Sequence, residues 1–185
     1  MVLRSALFIL IVASCSVVVT ARAQDNNPDE HAATCHHEEF VVLDFLEGEW
    51  AVSGSVRLPD GEWKDVTGSS TIESELDGCI LIERYHDDRA DETFSALAIF
   101  SHDPIDNRLQ KTWIDSAHGM ATWYRGGPVE SEIIFSASKE IRGTLHHFVE
   151  EYEPDGRDRF VVQRRRSTGD RRAWRATSRI EYVRE

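Results

Sequence analysis

Basic residues are scarce in this sequence. It has 21 lysines and arginines against 33 aspartates and glutamates, and its formal net charge at pH 7 is -12. Proteins that hold nucleic acid through its phosphates need a basic face, so the charge balance argues against nucleic acid as a partner. With 185 residues, of which 41% are hydrophobic and 29% charged, the composition is that of one folded domain with a sizeable core.

Motifs that carry well-known chemistry are also missing. The sequence has no Gly-x-Ser-x-Gly elbow, no His-Glu-x-x-His pair, no phosphate loop and no paired-cysteine zinc spacing. Asp115, Ser116 and His118 lie too close together for a catalytic relay, which is assembled from distant segments. The sequence therefore favours a binding protein over an enzyme, and no catalytic residue, metal ligand or cofactor is assigned.

The longest apolar run, Leu7 to Val19, is shorter than the about 20 residues of a membrane-spanning helix. A basic residue precedes the run, and Ala21-Arg22-Ala23 follows it as a site for signal peptidase. Residues 1–23 are predicted to be a signal peptide, and the protein is predicted to be exported, periplasmic or secreted, without a stable membrane span. The alternative is a lipoprotein, because Val12-Ala13-Ser14-Cys15 resembles a bacterial lipobox that would place a lipid on Cys15.

Two cysteines, Cys35 and Cys79, follow the predicted signal peptide. In an exported protein such a pair suggests one disulfide, with two free thiols as the alternative. Residues 24–37 are polar and are predicted to form a flexible leader. The histidines around Cys35 are interpreted as part of this solvated leader and not as a metal site.

The remaining segment, residues 38–185, is predicted to be one barrel domain. Apolar residues between Glu38 and Glu47 form one helical face, and Gly48 can end that helix. From Trp50 onward, apolar and polar residues alternate, with turn signals about every eight to twelve residues. About ten strands with short connections predict an antiparallel sheet that closes on itself. The predicted fold is all-β, a single up-and-down barrel whose floor is plugged by a short N-terminal helix.

Two segments that interrupt the alternation are predicted to be connections. Asp87 to Asp91 is charged and is assigned to a loop, and Gly126-Gly127-Pro128 is assigned to a turn because glycine and proline commonly end strands. Of the five tryptophans, Trp50 is assigned to the barrel floor and Trp113 to a cavity wall.

A series of short motifs gives the chain a resemblance to a known family. The motifs are Cys35, FLEGEW (45–50), DGCILIE (77–83), TWIDS (112–116), Asp155-Gly156, Ser167, Trp174 and Tyr182. In this order and spacing they resemble the exported lipocalin-like (calycin) proteins known as the DUF1579 family, whose function is unknown. The resemblance extends from Cys35 to Arg184 and implies a β-barrel with an internal cavity. The chain departs from the family pattern at Lys111, where a glutamine is expected.

Polar residues on two otherwise apolar strands form the candidate ligand site. If Leu81 and Trp113 point inward, the alternation brings the following residues into the barrel interior: Glu83, Tyr85, Lys111, Trp113 and Asp115. Buried charges are costly unless they are paired, so an ion pair between Glu83 and Lys111 is expected. Apolar walls with a few convergent polar groups are typical of small-molecule sites. The alternative is an internal polar plug, or charges at the barrel mouth or outside it.

Two further clusters allow other interpretations. His146 and His147 point to opposite faces of one strand, and an inward ring could bind haem iron, as in the nitrobindin-like calycins; a hydrogen bond to a neighbouring carboxylate is preferred. The C-terminal hairpin is rich in arginine, including the run Arg164 to Arg166. These arginines are expected to face outward and pair with acidic residues across strands, with binding to anionic lipid or polymer as the alternative.

Together these features predict an exported barrel that binds a small, partly apolar molecule in its interior. The alternatives are a small-molecule enzyme that uses Glu83, Asp115 and Tyr85, a haem-binding barrel, and a purely structural barrel. The sequence leaves the identity of the ligand and the oligomeric state open.

Overall fold

A computed structural model describes residues 38–89, 92–169 and 173–185. The predicted signal peptide, the possible lipid site at Cys15 and the flexible leader lie outside these residues. Cys35 lies outside them as well, so export and the bridge from Cys35 to Cys79 stay predictions. None of the helices within the described residues has the length and hydropathy of a membrane-spanning segment.

The described fold begins with two short helical turns in place of one continuous helix. Helix α1 spans Glu38–Val41, and a 3₁₀ turn spans Asp44–Leu46. The backbone N–H of Leu46 donates to the carbonyl of Leu43 at 2.9 Å, a bond across three residues that tightens the chain. The predicted position of the helical segment is confirmed, and its predicted continuity to Glu47 is wrong.

Ten antiparallel strands follow and close into a barrel. They are β1 (Gly48–Arg57), β2 (Trp63–Glu75), β3 (Ile80–Arg89), β4 (Glu92–Asp103), β5 (Arg108–Asp115), β6 (Thr122–Val129), β7 (Glu132–Ile141), β8 (Thr144–Pro154), β9 (Arg159–Thr168) and β10 (Arg175–Arg184). Each strand pairs with its neighbours in sequence, and β1 also pairs with β10, so every one of these strands has two partners. The predicted up-and-down barrel of about ten strands is confirmed.

The loop predicted at Asp87 to Asp91 is wrong in its first half, because β3 continues to Arg89. Asp87 points inward and is buried, although a lone buried carboxylate would be costly. Its two oxygens accept hydrogen bonds from Tyr85 and Arg89, which offset that cost. The pairing of an aspartate with an arginine two residues away allows the strand to continue.

The turn predicted at Gly126-Gly127-Pro128 is also wrong, because β6 runs through it to Val129. The strand lies so close to β7 here that a Cβ added at Gly126 would be 1.9 Å from the carbonyl oxygen of Ile134. Gly126 thus allows the backbones of two strands to approach closely and does not form a turn.

Side chains fill one end of the barrel. Trp50 is buried there and its Nε1 donates to the carbonyl of Leu46 at 2.8 Å, which joins β1 to the 3₁₀ turn. The ring of Phe160 stacks on Tyr182 with centroids 4.2 Å apart and meets Trp50 edge-on at 4.8 Å. The guanidinium of Arg184 lies 4.3 Å from the ring of Trp50. This end is the floor that the sequence predicted.

Candidate functional site

Charged side chains meet above the aromatic floor, around the carboxylate of Glu150 on β8. Lys111 Nζ donates to Glu150 Oε2 at 2.5 Å and to the hydroxyl of Tyr152 at 2.6 Å. Arg164 Nε on β9 donates to Glu150 Oε1 at 3.2 Å. The Glu150 carboxylate therefore forms ion pairs with two cations inside the barrel.

The ionisation of these groups follows from their mutual distances and their burial. Burial acts to raise the pKa of Glu150, but Lys111 and Arg164 outweigh burial and lower this pKa to about 2. Burial lowers the pKa of Lys111, although Glu150 opposes the shift. Burial also acts to lower the pKa of Arg164, and attraction to Glu150 more than compensates, so that pKa is raised. Glu150 is therefore ionised at neutral pH and carries the negative charge on which both cations depend.

Glu83 is the second carboxylate in this layer and is 1% exposed. Its Oε1 accepts hydrogen bonds from Ser70 Oγ at 3.1 Å and from the hydroxyl of Tyr182 at 2.9 Å. The expected ion pair between Glu83 and Lys111 is therefore wrong. Lys111 contacts Glu150 instead, and Glu83 influences it only by attraction over a longer distance.

Tyr85 belongs to a third polar group nearer the barrel mouth. Its hydroxyl donates to Asp87 Oδ2 at 2.8 Å, while Arg89 holds both oxygens of Asp87 at 2.7 and 3.0 Å. Burial and the neighbouring Asp87 raise the pKa of Tyr85, so the phenol stays protonated at neutral pH. The guanidinium of Arg89 also lies 3.4 Å from the ring centroid of Phe94. This group fixes one wall of the barrel mouth.

A cavity of about 1410 Å³ lies above the polar layer and opens at the end of the barrel opposite the helical turns. Aromatic rings from four strands are part of its lining: Phe94, Trp113, Tyr124 and Phe148. Glu150 and Arg164 border it from below. The cavity thus combines aromatic rings with polar and charged groups, and both kinds of contact occur in small-molecule sites.

The five residues predicted to form the ligand site all belong to the inward rows of their strands, but they occupy two levels. Trp113 and Asp115 line the cavity. Glu83, Tyr85 and Lys111 are each 1% exposed and lie in the packed polar groups, outside the cavity lining. The prediction of a shared interior is confirmed. Direct contact with a ligand stays a prediction, and the geometry favours it for Trp113 and Asp115.

Sequence reasoning missed Glu150 and Arg164. Glu150 alternates with Phe148 and Tyr152, the same signal that predicts an inward position for Glu83, so the sequence of β8 does carry the signal for Glu150. The prediction that the hairpin arginines face outward is correct for Arg165, which pairs with Glu151. It is wrong for Arg164 and Arg166, which belong to the inward row of β9. Phe160 and Val162 set this phase, because they share the inward row of β9 with Arg164.

The two histidines of β8 occupy opposite faces, as predicted. His146 belongs to the inward row and its ring is parallel to that of Phe148, with centroids 6.3 Å apart. His147 lies on the outer face but is buried, with Nδ1 2.8 Å from Ser138 Oγ and Nε2 3.0 Å from the carbonyl oxygen of Gly169. Within the described ranges, no group of three or more potential metal ligands converges.

Comparison with known proteins agrees with this architecture. A family model described as a protein of unknown function, DUF1579, matches residues 36–184. The chain belongs to this family. Among solved structures, the DUF1579 chain is similar to an S-type phycobiliprotein lyase from Guillardia theta, with a TM-score of 0.51 and 11% sequence identity over 80% of this chain and 98% of that chain. At this identity the likeness shows the fold alone. No curated protein matches the sequence.

Proposed function

We propose that this DUF1579 protein binds a small, partly apolar molecule in the open half of its barrel. The observation that carries the proposal is the cavity of about 1410 Å³. Known ligand sites usually measure about 300–1,000 Å³, so the volume of this cavity is more than sufficient for one small molecule. A barrel with a purely structural role gains nothing from such a space, since side chains that filled it would bury apolar surface and add packing contacts.

The walls of the cavity are held in place before any ligand arrives. Trp113 Nε1 donates to Asp115 Oδ2 at 3.1 Å, and Asp115 Oδ1 accepts the backbone N–H of His118 at 2.9 Å. Lys111 and Arg164 lie 4.7 and 4.8 Å from the ring of Trp113, respectively. A ring fixed in this way loses little conformational freedom on binding, which favours affinity.

Binding is favoured over the alternative of an enzyme that uses Glu83, Asp115 and Tyr85. A catalytic acid or base must come within hydrogen-bonding distance of the reacting group. Glu83 and Tyr85 lie outside the cavity lining, and Glu83 Oε1 and the Tyr85 hydroxyl are already bonded to Tyr182 and Asp87, respectively. Of the three residues, Asp115 alone borders the cavity, where it orients Trp113 and His118.

The proposal is tested with the neutral apolar dye N-phenyl-1-naphthylamine, whose fluorescence increases when it leaves water. We expect the dye to bind the purified protein and to quench tryptophan emission by energy transfer. Trp113→Phe should abolish a large part of the quenching, because Trp113 lines the cavity. Trp123 is 77% exposed on the outer face, so Trp123→Phe is the matched control and should retain the quenching.

A dye that does not bind, or that quenches tryptophan emission equally in both variants, would contradict a site in the cavity. Thermal melting of the two variants checks that each is folded before their quenching is compared.

A further inference from the structure

One wall of the cavity is rich in arginine. Arg164 and Arg166 occupy successive inward positions of β9, and Arg175 on β10 is the register partner of Arg166. All three line the cavity. Among its described lining residues, six are arginine or lysine and three are aspartate or glutamate, although the whole chain has a formal charge of -12. The charge of the cavity is thus opposite in sign to that of the molecule.

Arg164 has hydrogen-bonding capacity to spare. Its Nε donates to Glu150 Oε1, while Glu150 Oε2 is already occupied by Lys111 and Tyr152. Arg164 Nη2 is buried and has no hydrogen-bond partner within the described chain. A buried donor without an acceptor is rare because it loses its bonds to water without replacement. The guanidinium can therefore still bind an acceptor that enters from the cavity.

Arg166 and Arg175 place two positive charges opposite each other across neighbouring strands. Like charges in this arrangement destabilise a sheet. Neither arginine forms an ion pair with an acidic residue of the described ranges, and both reach the cavity. An anion between them would relieve the repulsion and could bind both side chains through charge-assisted hydrogen bonds.

We propose that the cavity selects amphipathic anions, with the acidic group held by Arg164, Arg166 and Arg175 and the apolar body packed against the aromatic wall. The two parts of the site are contiguous, since the Arg164 guanidinium lies 4.8 Å from the ring of Trp113. This inference rests on the proposed function and adds the chemical class of its ligand.

The test compares dodecanoate with dodecan-1-ol, which have the same chain length and differ in the charge of one end. Each is titrated against the protein loaded with the neutral dye, and displacement gives its affinity. Although the alcohol is the more apolar molecule, we expect dodecanoate to bind about tenfold more tightly or better, because it gains charge-assisted hydrogen bonds. Dodecyl phosphate should also bind more tightly than the alcohol, and its rank against dodecanoate identifies the preferred acid.

Adjacent arginines provide matched variants. Arg166→Gln should weaken dodecanoate about tenfold and leave dodecan-1-ol unchanged, since a charged partner is lost. Arg165→Gln removes the same charge from the outer face, where Arg165 pairs with Glu151, and should leave both affinities unchanged. Arg166 is exposed at the mouth, so its replacement is compatible with folding, and Arg175→Gln provides a second variant with the same expected effect.

The outcomes separate this inference from the proposed function. If dodecanoate and dodecan-1-ol displace the dye equally well and Arg166→Gln changes neither affinity, the anion site is overturned while the apolar cavity stands. If neither molecule displaces the dye, or the dye itself does not bind, the proposed function itself is contradicted, and the anion site with it.

Discussion

At the residue scale, Glu150 is the side chain on which the electrostatics of the interior depend. Lys111 contacts one of its oxygens and Arg164 the other, and the exposed fractions of the Lys111 and Glu150 side chains are 0% and 3%. A buried charge that loses its partner costs about 3–5 kcal/mol. Here a single replacement would leave two cations with no bonded counter-charge.

Replacing Glu150 by Gln should lower the free energy of unfolding by about 3–5 kcal/mol at neutral pH, because Lys111 and Arg164 lose their shared anion. Urea unfolding measures this change. Glu151→Gln is the matched control, since Glu151 belongs to the opposite face of β8 and pairs with the half-exposed Arg165. We expect its loss to stay below about 1 kcal/mol. Equal losses in the two variants would contradict a central role for Glu150.

The pH dependence of stability provides an independent prediction for the same residue. The pKa of Glu150 is lowered from 4.5 to about 2 by folding. A carboxylate with a lowered pKa in the folded protein stabilises it above the unfolded pKa, and this stabilisation is lost as the pH falls towards the folded pKa. Wild-type stability should therefore decline between about pH 4.5 and 2, and Glu150→Gln should decline less over this range. Parallel stability curves for the two proteins would contradict the shift.

At the element scale, the two glycines in β6 have different roles although they are adjacent. A Cβ at Gly126 would lie 1.9 Å from the carbonyl oxygen of Ile134 and 2.8 Å from the Cα of Phe135. A Cβ at Gly127 would have no atom within 4 Å. The inward face of β6 at Gly126 is therefore occupied by the backbone of β7.

Gly126→Ala should destabilise the barrel by about 2 kcal/mol or more, because the backbones of β6 and β7 would have to separate. Gly127→Ala should change stability by less than about 0.5 kcal/mol, since its side chain enters open space. Thermal melting of the two variants measures the difference. Similar melting temperatures for both would show that the close approach at Gly126 is not needed for stability.

The strand patterns show how much of the structure can be predicted from the sequence. Period-two alternation is a local signal, and it was sufficient for the closed barrel and for the inward positions of Glu83 and Lys111. Which residue pairs with an inward charge depends on how strands that are far apart in sequence are aligned in the barrel. Lys111 and Glu150 are 39 positions apart, so their pairing could not be read from either strand alone. The arginine run at 164–166 contains no apolar residue of its own, so its phase follows only from Phe160 and Val162 upstream.

At the scale of the whole molecule, the barrel has a filled half and an open half. Helical turns and aromatic rings close the floor, the polar layer around Glu150 covers them, and the cavity occupies the remaining volume. Because β1 pairs with β10, the strands around the cavity form a closed wall. This division separates residues that maintain the fold from residues that can meet a ligand.

Native mass spectrometry of the protein purified from its own host shows whether a small molecule occupies the open half of the barrel. Thr122 lines the cavity, so Thr122→Phe should fill part of it, while Thr112→Phe adds the same ring on the outer face of β5. We predict that the wild type and Thr112→Phe carry a non-covalent small molecule and that Thr122→Phe has lost it. A bare wild-type mass, or the same bound mass in Thr122→Phe, would contradict the account.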